Sequence, residues 1–161
     1  MRVGVVSDTH NHLANVACIV EILNAAHVER VVHTGDITQA KTLHALAALE
    51  APLVGVYGNN DLERDSLEAA CSDRGFHFED PPLEIFWHER RIVITHDPLE
   101  LEPGALRGAD VLLHGHDHRH TSERRGGTLV FNPGECAGHL KGHNAVGILD
   151  LARLESATVN F

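Results

Sequence analysis

Cysteine is scarce in this chain of 161 residues: Cys18, Cys71 and Cys136 are an odd number, far apart, with no Cys-x-x-Cys pair. That spacing argues against a disulfide framework and reads as reduced thiols. Long apolar runs are also missing, the longest being strand-sized and far short of the roughly 20 residues a membrane helix needs. No basic region, apolar core and small-residue cleavage site precede the first strand, so the expected location is cytoplasmic. Positive charge is in short supply, with 13 Lys and Arg against 23 Asp and Glu and a formal net charge of -10. This argues against nonspecific nucleic-acid binding, whose affinity comes from Lys and Arg displacing counterions. A small phosphate ester stays compatible, because bound divalent cations make a pocket locally positive inside an acidic protein. Linkers, low-complexity stretches and internal repeats are absent too, and 43% of the residues are hydrophobic. One domain over residues 1–161, with a core of its own, is expected.

What the chain does have is five short segments rich in metal-binding side chains: Asp8-Thr9-His10, Gly35-Asp36, Gly58-Asn59-Asn60-Asp61, Thr95-His96 and Gly115-His116-Asp117-His118. Each follows an apolar run that reads as a strand, namely Val3 to Val6, Arg30 to His33, Leu53 to Tyr57, Ile92 to Ile94 and Val111 to Leu113. In an open α/β sheet the loops beyond the carboxyl ends of the strands gather at one edge, so distant residues meet there. Helical spacing over Leu13 to Ala26 and Gln39 to Leu49, and a shorter helix near Glu63 to Arg74, gives the first half a βαβ rhythm. The second half reads as mainly β, with Leu83 to Trp87, Thr128 to Phe131, Ala145 to Leu151 and Glu155 to Asn160 as further strands. Arg125-Gly126-Gly127-Thr128 reads as a hairpin turn. The two halves are expected to contribute one sheet each, packed face to face with helices outside, in an α/β fold.

The donors suffice for two divalent metals. Asp36 is the natural bridge, because a carboxylate has two oxygens; Asp8, His10 and His118 then complete one metal and Asn59, His96 and His116 the other. Mixed imidazole and oxygen donors favour Mn, Fe, Co, Ni or Zn over Ca or Mg, with Mn the first expectation. A cation pair about 3.5–4 Å apart shares a hydroxide, aims it at phosphorus and neutralises the nonbridging oxygens. Hydrolysis of a small phosphate ester is the expected chemistry.

In this order the segments resemble the calcineurin-like metallophosphoesterase superfamily, whose pattern is Asp-x-His, Gly-Asp, Gly-Asn-His/Cys-Asp/Glu, His-Gly and Gly-His-x-His. Asn132-Pro133-Gly134-Glu135 and the closing strand extend the resemblance to the small, single-domain phosphodiesterases of the YfcE type. The resemblance implies a four-layer α/β/β/α sandwich of two mixed sheets with outer helices, and metal ligands at Asp8, His10, Asp36, Asn59, His96, His116 and His118. Asp36, Asn59, Asp61 and His10 are the residues expected in catalysis. It also implies a preference for phosphodiesters. Phosphomonoesters are the alternative, and a non-catalytic scaffold, which should have lost several ligands, is a more distant one. Small relatives of this type often self-associate, so a homo-oligomer is a further expectation.

Two positions depart from the pattern. Asn60 stands where many relatives have a His thought to protonate the leaving group, and an amide cannot act as an acid near neutral pH. Asp97-Pro98 follows His96 where Gly is usual. Of the other histidines, His33 is expected to hydrogen-bond a neighbour of the site, while His139 and His143 lie where they could approach substrate. His27, His44, His77 and His88 are expected at the surface. Arg119, Arg124 and Arg125 flank the last motif, where contact with a phosphate is one reading and a solvated hairpin the first expectation.

Overall fold

The computed structural model describes residues 1–139 and 141–161. Strands β1 (Arg2–Val6), β2 (Arg30–His33), β3 (Leu53–Val56) and β4 (His77–Glu79) run parallel and are linked by helices α1 (Leu13–Ala25), α2 (Ala40–Leu46) and α3 (Arg64–Arg74). The remaining strands are β5 (Leu83–Trp87), β6 (Arg90–Ile94), β7 (Val111–Leu113), β8 (Thr121–Arg125), β9 (Thr128–Asn132), β10 (Ala145–Asp150) and β11 (Glu155–Asn160). They do not all join one sheet. The orders are β11-β10-β1-β2-β3-β4 and β5-β6-β7-β9-β8, so the last two strands return to pair with the first half. The expected one-sheet-per-half division is therefore corrected: β10 lies antiparallel to β1, with Val3 opposite Leu149. Both sheets are mixed, as expected.

Alternation along each strand divides the core into layers. Val3, Val5, Val32 and Val56 of the first sheet meet Ile92, Ile94, Leu113, Leu129 and Phe131 of the second in the buried interior. On the opposite face of the first sheet, Val6, Val31 and Val146 pack against Val16, Ile19 and Leu23 of α1. Gly4 faces α1 because a Cβ there would lie 2.8 Å from Leu23 Cδ2. Burial on both faces explains why these strands read as near-continuous apolar runs. The outer face of the second sheet, with Val93, Leu112 and Val130, is covered by Leu101, Leu106 and Ala109. That cover comes from the segment 98–110, whose helical part is one 3-10 turn, Pro98–Glu100. Among the described residues no helix is long and apolar enough to cross a membrane.

Candidate metal centre

β1, β2 and β3 in one sheet and β6 and β7 in the other release their loops at one end of the sandwich. Backbone hydrogen bonds stitch those loops together: Asp8 N donates to Gly35 O and His10 N to Asp36 O, both at 3.0 Å, and Gly115 N donates to His96 O at 3.0 Å. The chain turns sharply there. Asp8, His10, Asp36, His116 and His118 all have positive φ, between 39° and 73°, a region non-glycine residues seldom occupy and one that clusters at functional sites. Glycines let the loops close. A Cβ on Gly58 would sit 2.2 Å from Asp36 Oδ1, and one on Gly35 would sit 2.7 Å from His96 Nδ1. At Gly115 it would overlap Ser7 Oγ and approach Asp8 Oδ2 to 2.7 Å.

All seven candidate ligands converge at this end. Asp36 Oδ2 lies 3.3 Å from His10 Nε2 and 3.4 Å from His96 Nε2. His118 Nε2 is 3.4 Å from Asp8 Oδ1. Asn59 Oδ1 sits 3.0 Å from both His96 Nε2 and His116 Nδ1. Ligand atoms of Asp8, His10 and His118 lie within 4.8 Å of one another, as do those of Asp8, Asp36 and His96. Burial pushes the Asp8 carboxyl up and the His10 imidazole down. Burial would likewise raise Asp36 and lower His96, but the hydrogen bond between them outweighs it. Asp36 is held well below the usual carboxylate range, helped by Asn60, and His96 is raised to about 9.

Several residues hold these ligands in place. Asp61, expected among the catalytic residues, uses both oxygens on backbone: Oδ2 accepts from Gly58 N at 2.7 Å and Asp36 N at 3.0 Å, and Oδ1 from Thr38 N at 2.6 Å. Its contribution is positional. Asn60 donates from its backbone to Asp36 Oδ1 at 2.9 Å and from its side chain to Asp36 Oδ2 at 2.8 Å. His33 is fully buried, accepts from Gly35 N at 3.1 Å through Nδ1 and meets Thr9 Oγ1 at 3.1 Å through Nε2. Burial lowers its pKa to about 3 and keeps it neutral.

Sequence reasoning assigned no role to Ser7, Thr34, Asn132 or Glu135. Thr34 donates to Ser7 Oγ at 2.7 Å, and Ser7 in turn donates to Asp8 Oδ2. Glu135, 1% exposed, lies 3.1 Å from His118 Nδ1. Asn132 donates to Asp117 Oδ1 at 2.8 Å and accepts from Gly134 N at 2.9 Å, tying the loop of His116 and His118 to β9. The signal was the Asn-Pro-Gly-Glu motif, which lies beside the site only because β9 pairs with β7. His139 joins the rim, its ring 5.2 Å from that of His118 and 5.4 Å from that of His10. His44 and His77 instead meet Arg74 and Glu79 on the surface. In the hairpin, Arg125 pairs with Glu123, and Arg124 donates to Leu154 O at 2.9 Å.

The donor set fits a divalent cation. Asp8 Oδ1 and His10 Nε2 are buried, 3.9 Å apart and without a hydrogen-bond partner among the described residues. Leaving buried polar atoms unsatisfied is costly, and a metal satisfies both. The family model of the calcineurin-like phosphoesterase superfamily domain matches residues 1–153. The chain belongs to this superfamily. Its activity is therefore metal-dependent hydrolysis of phosphoesters. Among superfamily relatives it is 36% identical over 159 residues to phosphodiesterase MJ0936 of Methanocaldococcus jannaschii, covering 96% of each chain. A solved structure described as a novel archaeal phosphodiesterase superposes with a TM-score of 0.89 at 32% identity, over 100% of both chains. The phosphoesterase YfcE of E. coli shares the fold, with a TM-score of 0.74 at 23% identity over 99% and 98% of the two chains.

Proposed function

We propose that this chain is a dinuclear phosphodiesterase in which Asp36 bridges two divalent transition metals, with Asp8, His10 and His118 on one and Asn59, His96 and His116 on the other. The observation that carries this reading is Asp36 Oδ2, within 3.4 Å of His10 Nε2 on one side and His96 Nε2 on the other. When bound, the cation pair supplies Lewis acidity to water and to the phosphoryl oxygens. The rest is done by the chain. Thr34 O, 2.9 Å from His96 Nδ1, accepts a hydrogen bond from Nδ1–H and leaves Nε2 as the atom that would bind metal. Glu135 orients His118 in the same way, with Nε2 turned to Asp8. His116 is reversed, its Nδ1 toward Asn59 and its Nε2 3.6 Å from Asp97 Oδ2. Such partners set ring orientation and ligand basicity.

The preference for diesters is supported by the named relative and by cavities on both sides of the centre. One of about 340 Å³ touches His118, and another of about 200 Å³ touches Asn59 and His96. Each cavity offers a place for one ester arm. Asn60, engaged with Asp36, donates no proton to the leaving group at neutral pH, so esters with good leaving groups are preferred over alkyl esters.

The test is metal analysis together with turnover. Mn-loaded protein is expected to hold two ions per chain and to prefer bis-p-nitrophenyl phosphate over p-nitrophenyl phosphate. Chelation should abolish turnover and Mn restore it, and Asp36→Asn should lose at least one ion. Turnover by metal-free protein would sink the reading, and a monoester preference would sink its diester part.

A further inference from the structure

The larger of the two cavities lies at a corner of the sandwich, between the loops that follow β7 and β9 in the second sheet and the ends of β10 and β11 in the first. Arg119, His120 and His143 line it with Thr158 and Asn160, and among the described residues no carboxylate does. In a chain of net charge -10 this is a local reversal of sign. Arg119 is also unlike the two arginines of the hairpin. Arg125 is paired with Glu123 and Arg124 with backbone carbonyls, whereas the Arg119 guanidinium has no ion pair among the described residues. Its position is nevertheless fixed at the backbone. Arg119 N donates to Asp117 Oδ1 at 3.0 Å, and Asn132 Nδ2 donates to the same oxygen at 2.8 Å. The fork is thus carried one residue from candidate ligand His118, on a loop anchored to β9.

We propose that this cavity is a subsite for a second phosphate, so that the substrate is a diester with an additional phosphoryl group on the arm that passes His118. The proposal rests on the diesterase reading and specifies its substrate class. Guanidinium is charged at every working pH and matches phosphate oxygens two at a time. The Thr158 hydroxyl and the Asn160 amide add neutral donors to the same walls. A tetrahedral group with three terminal oxygens uses donors on several walls, which a planar carboxylate does less well. The reacting phosphorus stays at the centre, and the second phosphate is bound without being cleaved.

The test compares the p-nitrophenyl ester of thymidine 5′-phosphate with its 3′-phosphorylated counterpart, on Mn-loaded wild type, Arg119→Ala and Arg119→Lys. Both esters break the same bond and release the same phenolate, so a difference in KM reports the arm. The 3′-phosphate is expected to lower KM about tenfold in the wild type, the advantage to vanish in Arg119→Ala, and part of it to persist in Arg119→Lys. Equal KM values in the wild type overturn the proposal, as does an advantage that survives Arg119→Ala. If neither ester is turned over, it is the diesterase reading that fails. The subsite is then read by calorimetry of thymidine 3′,5′-bisphosphate against thymidine 5′-phosphate. Tighter binding of the bisphosphate that depends on Arg119 supports it, and equal affinities overturn it.

Discussion

Replacing Gly58 by Ala separates steric close approach from backbone strain at the centre. Gly58 is not among the residues of positive φ, so alanine meets no conformational penalty there. What it meets is Asp36: the new Cβ would lie 2.2 Å from Oδ1, 2.5 Å from the backbone N and 2.9 Å from Cγ. Ordinary contact begins at 3.4 Å, so the carboxylate must withdraw by about 1.2 Å. It is not free to do so, because Oδ1 accepts from Asn60 N at 2.9 Å and the Asp36 N–H is held by Asp61 at 3.0 Å. Overpacking of this kind destabilises by about 1–3 kcal/mol. A misplacement of about 1 Å at a reacting centre lowers the rate about 100-fold. Turnover of bis-p-nitrophenyl phosphate and a Mn titration of Gly58→Ala measure both consequences. Gly75→Ala is the control, since Gly75 has φ +69° with nothing within 4 Å. That variant should lose about 1 kcal/mol of stability by virtue of its backbone alone and keep its turnover. A Gly58→Ala protein that binds two ions and turns over within about threefold of the wild type would refute the reasoning, given the rate sensitivity assumed.

Three further outcomes follow from the supporting residues. Asp61→Asn leaves one oxygen acceptor where two oxygens serve three backbone N–H groups, so urea unfolding should show a loss of about 1–3 kcal/mol; an unchanged midpoint would contradict the positional role. Glu135→Gln weakens the acceptor facing His118 Nδ1 and should lower metal affinity about 10–100-fold in a chelator competition. His33 has a folded pKa of about 3 against 6.5, so its neutral form stabilises the fold fully above 6.5, and that contribution falls as pH drops toward 3. The slope is about 1.4 kcal/mol per pH unit. Below pH 6.5 the unfolding free energy of the metal-free protein should fall more steeply in the wild type than in His33→Asn, by up to about 1.4 kcal/mol per pH unit; equal slopes in the two proteins would place the titration elsewhere.

Much of the fold was legible because burial leaves a local trace. β2, β5, β7 and β11 begin and end where their apolar or alternating runs do, and the turn at Gly126-Gly127 joins β8 to β9 as the paired glycines suggest. β8 itself, Thr-Ser-Glu-Arg-Arg, contains no apolar residue and is mostly exposed, so its strand character comes only from pairing with β9. β4 is similarly short and exposed at a sheet edge. α2 ends at Leu46 instead of continuing to Leu49, because Ala48 N and Leu49 N bond three residues back, to Ala45 O and Leu46 O. That tightening is common at helix ends and leaves no mark on apolar periodicity. At the site, the ligand types could be read from order and spacing. The ring orientations could not, since Thr34 approaches His96 only through the packing of one sheet on the other, and Glu135 approaches His118 only through the pairing of β9 with β7.

The antiparallel seam between β1 and β10 joins residues 2–5 to residues 147–150. The strand that delivers Asp8 and His10 is synthesised long before β10, its second neighbour. Pairings this distant in sequence close late in folding. On the ribosome, the first three ligand loops emerge while one long edge of β1 is still bare, and a bare edge invites pairing with another chain. Maturation of the centre is therefore coupled to synthesis of β10: a chain ending before residue 145 would carry every candidate ligand and lack the strand that closes the sheet behind them.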